Sequence, residues 1–151
     1  MVARRESDAD RIVMTLDLEL SDGRRGASAR VELRERPGGR VVLLALRGSL
    51  DRAAVRRLGH TLEDLAERGI EQLLLDCSQV RHIDYRTVPA LVAALSSFEA
   101  RAGGFVVCGL SPYLRDLFRL AGCEARLRCW PSAADLLAAG AGSESGREYA
   151  S

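Results

Sequence analysis

The sequence predicts an α/β fold: one domain, a mixed, mostly parallel β-sheet of 4–6 strands, with about four helices packed mainly on one face. Three observations carry this. Short bounded apolar segments recur at Val41–Leu46, Gln72–Asp76 and Phe105–Cys108, the pattern of strands buried inside a sheet. Amphipathic stretches separate them, and glycines (Gly69, Gly103-Gly104 and Gly122) punctuate each helix end. Pro37-Gly38-Gly39 reads as a hairpin turn, so at least one strand pair is antiparallel.

At 151 residues the chain can bury a full core as one domain. Its 47% hydrophobic and 28% charged residues are those of a soluble globular protein, expected in the cytoplasm. A net charge of +1 gives no global electrostatic case for nucleic acid or an anionic membrane. No apolar run approaches membrane-spanning length, and the first residues lack the apolar stretch of a secretory signal. The cysteines Cys77, Cys108, Cys123 and Cys129 form no Cys-x-x-Cys pair, and only His60 and His82 could assist them. No metal site and no cofactor are therefore expected, and the thiols read as small buried residues of a reducing compartment.

Residues 1–28 form an N-terminal extension. Residues 1–14 are charged and unpatterned, but Thr15–Leu20 alternates with period two, a half-buried extra strand expected to pair near Arg30–Glu35. Val31 and Leu33 share one face of that second strand. After Val41–Leu46, Gly48-Ser49-Leu50-Asp51 closes the third, with Asp51 placed to cap a helix. That helix sets Val55, Leu58, Leu62, Leu65 and Ala66 on one stripe. Gln72–Asp76 leads into a turn carrying His82, Asp84, Tyr85, Arg86 and Thr87. A helix with Val88, Leu91, Val92, Leu95 and Phe98 on its stripe follows. Ser111-Pro112 opens the next helix in the favoured order, hydroxyl cap then proline. Leu127–Trp130 reads as a short last strand, Ser132–Asp135 as a capping box, and residues 141–151 as a flexible tail.

Phosphate-cradling loops, a nucleophile elbow and zincin motifs are all missing from the sequence, and there is no lysine. Three short motifs instead carry a resemblance: Gly48-Ser49-Leu50-Asp51, Asp76-Cys77-Ser78-Gln79-Val80, and Ile83-Asp84 at the start of the turn. Their order and spacing, with Gly103-Gly104 and Gly109, resemble the STAS domain of bacterial anti-sigma-factor antagonists and sulphate-transporter tails. The resemblance covers residues 29–140. It implies a helix layer mainly on one face and a regulatory protein-binding role in signalling or transcription control, not catalysis. The implied partner is an anti-sigma factor, a serine-kinase-like protein or another signalling protein; no membrane or nucleic-acid partner is expected.

In the antagonists, a serine two residues after the turn aspartate is phosphorylated to release the partner. Arg86 occupies that position here, so no switch of the usual kind is expected. The Thr87 hydroxyl lies one residue, about 100° of helix rotation, out of register. Pro89 would fall past the first turn of a helix begun at Asp84, so the helix should start nearer Arg86 or Thr87, or be distorted there. Thr87 then reads as a cap before it reads as a phosphoacceptor. The expected partner-binding residues are Asp51, His82, Asp84, Tyr85, Arg86 and Thr87. An alternative of another class is a small enzyme or ligand-binding domain using Cys77, His82 and Asp84, with a Cys–His thiolate as nucleophile.

Overall fold

A computed structural model describes residues 11–21, 26–131 and 133–138. The expectations for residues 1–10, for Ser132 as a cap and for the 141–151 tail lie outside the described residues. Six strands form one sheet in sequential order. They are β1 (Arg11–Glu19), β2 (Ser28–Arg36), β3 (Gly39–Leu50), β4 (Gln72–Ile83), β5 (Gly104–Cys108) and β6 (Cys129–Trp130). The helices are α1 (Arg52–Glu67), α2 (Val88–Arg101), α3 (Pro112–Leu120) and the short α4 (Ala133–Ala138).

β1, β2 and β3 pair antiparallel, and β3 through β6 pair parallel. Each parallel step moves to the next position in the same direction. Right-handed crossovers must then place every connecting helix on the same face. Residues of α1, α2 and α3 accordingly share one core with Leu44, Leu46, Leu73 and Leu75 of the sheet. The opposite face holds a smaller cluster, Val41, Leu74, Val106 and Cys108, covered by Ala133 and Leu137 of α4.

The local signals act as their chemistry dictates. The Ala54 N–H donates to Asp51 Oδ1 at 2.8 Å, and the Leu114 N–H to Ser111 Oγ at 3.1 Å. Gly69 and Gly122 follow α1 and α3 at φ +81° and +75°, a region closed to most side chains. Gly103 serves another purpose: a Cβ there would lie 2.1 Å from the Glu71 carbonyl oxygen, so only glycine lets the two chain segments pass.

Two strands run longer than their apolar patterns suggest. β1 begins at Arg11, so residues 11–14 belong to the sheet and not to an unpatterned leader. A bulge at Val13 hides the alternation there. Met14, Leu16 and Leu18 do share the helix-side face, opposite Leu33, Val31 and Ala29. Yet Leu16 remains 47% exposed, and only Leu20, just past the strand, is fully buried. β4 runs to Ile83 and does not stop at Asp76. Beyond Asp76 it has no pairing with β5 and follows β3 alone, with register breaks between Ala45 and Arg47 and between Gly48 and Ser49.

Candidate functional site

The three short motifs meet at the carboxyl end of β3 and β4. The register sets Leu50 beside Ile83 and Ser49 beside His82. Leu50 and Ile83 are both buried, and the Asp84 N–H donates to the Leu50 carbonyl at 2.9 Å. Asp51 and Asp84 therefore leave the sheet side by side. Gly48 adopts φ +90° where a Cβ would fall 2.7 Å from the Gly26 carbonyl oxygen. In the bulged part of β4 the Ser78 N–H donates to Asp76 Oδ1 at 3.0 Å. Gly109 packs against this bend, where a Cβ would come within 2.9 Å of Ser78 Cβ.

The turn after Ile83 is a single 3-10 turn, Tyr85–Thr87, followed by α2 with Pro89 in its first turn. Pro89 lacks an N–H and is tolerated where the helix needs none, so α2 proper starts at Val88. Asp84 bends the chain: its Oδ1 accepts the Arg86 N–H at 3.0 Å, and its carbonyl accepts the Thr87 N–H at 2.8 Å. The Thr87 hydroxyl donates to the same carbonyl at 2.8 Å, and Thr87 is only 4% exposed. Thr87 occupies the N-cap position of α2 as expected, but its side chain makes no capping bond to the helix, and the expectation is corrected in that respect. The hydroxyl is turned back to Asp84 because the 3-10 turn points it inward.

Tyr85 and Arg86 point outward. The Arg86 side chain is 79% exposed, with Nε 3.7 Å from Asp84 Oδ1. The Tyr85 hydroxyl donates to the Leu120 carbonyl at 3.2 Å, at the end of α3. His82 sits on β4 and not in the turn. Its ring stacks on Tyr113 with centroids 5.8 Å apart, and Nδ1 lies 2.6 Å from the Tyr113 hydroxyl. The tautomer of His82 decides which of the two donates.

Tyr113 and Leu120 are absent from the sequence-derived site, yet both are exposed and both touch it through these bonds. Tyr113, Leu117 and Leu120 lie at i, i+4 and i+7, a second stripe beside the buried Leu114 and Phe118. That spacing was a readable signal. The structure thus joins His82 and Tyr85 to α3, keeps Asp84 and Arg86 beside them in the turn, places Asp51 on the neighbouring strand end, and withdraws Thr87 from the surface.

Cys77, His82 and Asp84 do not form one site. Cys77 is 1% exposed within the core, and burial pushes its thiol far up, with Asp76 adding to the effect. Cys108 is pushed up to about 12, again chiefly by burial. A thiol held protonated is no nucleophile at neutral pH. His82 and Asp84 meanwhile bond to Tyr113 and Arg86. Among the described residues no group of three His, Cys, Asp or Glu could hold a metal ion, and no helix is long and apolar enough to cross a membrane.

The family model described as "Mlab, STAS domain" matches residues 33–129, more than half of the chain. Similar solved structures include an anti-sigma factor antagonist from Mycobacterium paratuberculosis. It is 20% identical with a TM-score of 0.60, covering 79% of this chain and 97% of that one. The unphosphorylated anti-sigma factor antagonist SpoIIAA is 20% identical with a TM-score of 0.54, covering 68% and 91%. A murine solute carrier 26 anion transporter is 15% identical with a TM-score of 0.55, covering 91% of this chain and 23% of that one. At such identities these structures speak to the fold alone.

Proposed function

The chain belongs to the STAS domain family, and on that premise we propose that it is a regulatory protein-binding module whose partner contacts the turn after β4. The partner is an anti-sigma factor, a serine-kinase-like protein or a comparable signalling protein of a bacterial cytoplasm. The contact surface comprises His82, Asp84, Tyr85 and Arg86, flanked by Asp51 and by Tyr113 and Leu120 of α3. Aromatic residues and arginine on a rigid frame are the residue types that anchor protein interfaces.

The observation that carries this reading is Arg86, exposed at the head of α2 with only a 3.7 Å contact to Asp84. A guanidinium there is permanently positive and offers a fixed donor fork. A phosphoserine would carry about −1.5 to −2 charge at neutral pH. This position is therefore held at the opposite sign, and binding is constitutive, not released by phosphorylation here. The neighbouring hydroxyl of Thr87 is buried and already donates to Asp84, so a kinase would have to open the turn to reach it.

Affinity capture from the native lysate, with and without phosphatase, tests the reading. The same partner should be retained in both arms. Arg86→Glu should weaken that binding by about 1–3 kcal/mol by titration calorimetry. Stoichiometric phosphate on Thr87 in cells would overturn the constitutive model.

A further inference from the structure

β1 is a sheet edge with nothing on its outer side among the described residues. It is nine residues long and contains no proline, its charged Arg11 and Asp17 are engaged by Glu35 and Arg30 of β2, and it leaves Ile12, Val13, Met14 and Leu16 about half exposed. Edges of this kind are usually blunted by charge, proline or shortness, because their free N–H and C=O groups accept another strand. β1 is also firmly seated on its inner side. Arg30 Nε lies 3.0 Å from Asp17 Oδ1, and Arg11 lies 3.3 Å from Glu35. The edge is therefore a formed template, and it lies outside the residues that match the family model.

We infer that β1 pairs antiparallel with β1 of a second copy of this chain, with Leu16 opposite Leu16 of that copy. The chemistry of the strand selects both the occupant and the register. Residues opposite one another in a sheet share a face, so a symmetric pairing must be centred on a residue. The bulge at Val13 limits regular pairing to Met14–Glu19. Centring on Leu16 pairs Met14–Leu18, all of this segment but Glu19. It sets Met14 against Leu18 of the second copy, and Leu16 against its own counterpart. The helix-side face then continues apolar across four strands, because Leu33, Val31 and Ala29 of β2 stand behind these residues.

Charge complementarity points the same way. On the other face Asp17 meets Thr15 of the second copy, a carboxylate facing a hydroxyl donor. Centring on Asp17 would oppose two carboxylates, which destabilises a cross-strand pair. Centring on Thr15 would set Asp17 against Ile12 and leave Leu18 facing Arg11. The Leu16 register matches apolar with apolar on the helix-side face and acceptor with donor on the other from Met14 to Leu18, with a mismatch only past the bulge, where Glu19 meets Ile12. The resulting interface is isologous and closes as a two-fold dimer.

Sedimentation equilibrium of the full chain across a micromolar concentration series is the primary test. The expected result is a reversible monomer–dimer equilibrium. Leu16→Glu and Leu16→Arg each set like charges face to face and should weaken the dimer about 100-fold or more. Mixing the two variants should restore it, because Glu then faces Arg. Hydrogen exchange checks the wild type independently: alternate β1 amides should lose protection on dilution while β2 amides do not. A monomer at every concentration overturns the proposal, whether the edge stays free or takes a strand from another protein. A dimer that persists in both variants, or a mixture that fails to dimerise, overturns this interface.

Discussion

The chain leaves the sheet twice in nearly the same way, at Leu50-Asp51 and at Ile83-Asp84. In both places a buried aliphatic residue ends a strand and an aspartate follows at its tip, and the two tips are adjacent. Asp51 accepts the Ala54 N–H three residues on, and α1 begins at once. Asp84 accepts the Arg86 N–H two residues on, and a 3-10 turn comes before α2. The difference traces to Pro89. A proline at the fifth position after Asp84 cannot donate in a helix begun at Asp84, so the chain inserts Tyr85-Arg86-Thr87 first. One aspartate therefore serves stability. The other presents two large side chains to solvent while holding a third inside.

This contrast can be broken by substitution. Thr87→Glu should have the largest effect, about 3–5 kcal/mol of lost stability in urea titration, because it forces an unpaired charge into a buried position. A loss below 1 kcal/mol would mean that the turn opens easily and that Thr87 is accessible after all. Leu50→Ala and Ile83→Ala come next, each costing about 2–5 kcal/mol. Their effects should be alike, since the two side chains are paired neighbours in one core; clearly unequal losses would show that the strand ends are not equivalent foundations.

Capping separates the two turns. Asp51→Ala should cost about 0.5–2 kcal/mol of stability and leave partner affinity unchanged to within twofold. Asp84→Ala should cost about 0.5–1.5 kcal/mol and weaken partner binding as well, because it frees the Tyr85-Arg86 segment. If both variants altered binding equally, the division of labour would fail. Smallest of all is the stability effect of Arg86→Glu, within about 0.5 kcal/mol in either direction, as expected for an exposed side chain with one screened ion pair.

The parts of this arrangement that were legible in the sequence are those set by local chemistry. Asp51, Ser111, Gly69 and Gly122 mark helix ends whatever surrounds them, and Pro89 announces a distorted entry into α2 on steric grounds alone. The second half of β4 was hidden because Ser78, Gln79, Arg81 and His82 are polar and two register breaks disrupt the alternation. Those residues form a strand because β3 runs alongside as far as Leu50. The start of β1 was hidden by the bulge at Val13 in the same way. Tyr113 and Leu120 reach the site from thirty or more residues away in sequence, through His82 and Tyr85, so no local pattern ties them to it. The buried Thr87 hydroxyl also depends on the observed 3-10 turn, since a regular helix would have aimed it elsewhere.

Strand order 1-2-3-4-5-6 has a consequence for the history of each molecule. Every strand adds next to the one synthesised just before it, so no strand waits for a partner from the far end of the chain. Sheet pairing spans a hairpin or one helical crossover at most, and closing such short loops costs little entropy. The sheet can therefore grow in the direction of translation, each new strand docking on an edge already formed. β1, the first of the described strands, is by the same logic an edge that no later strand of the described sheet comes to cover.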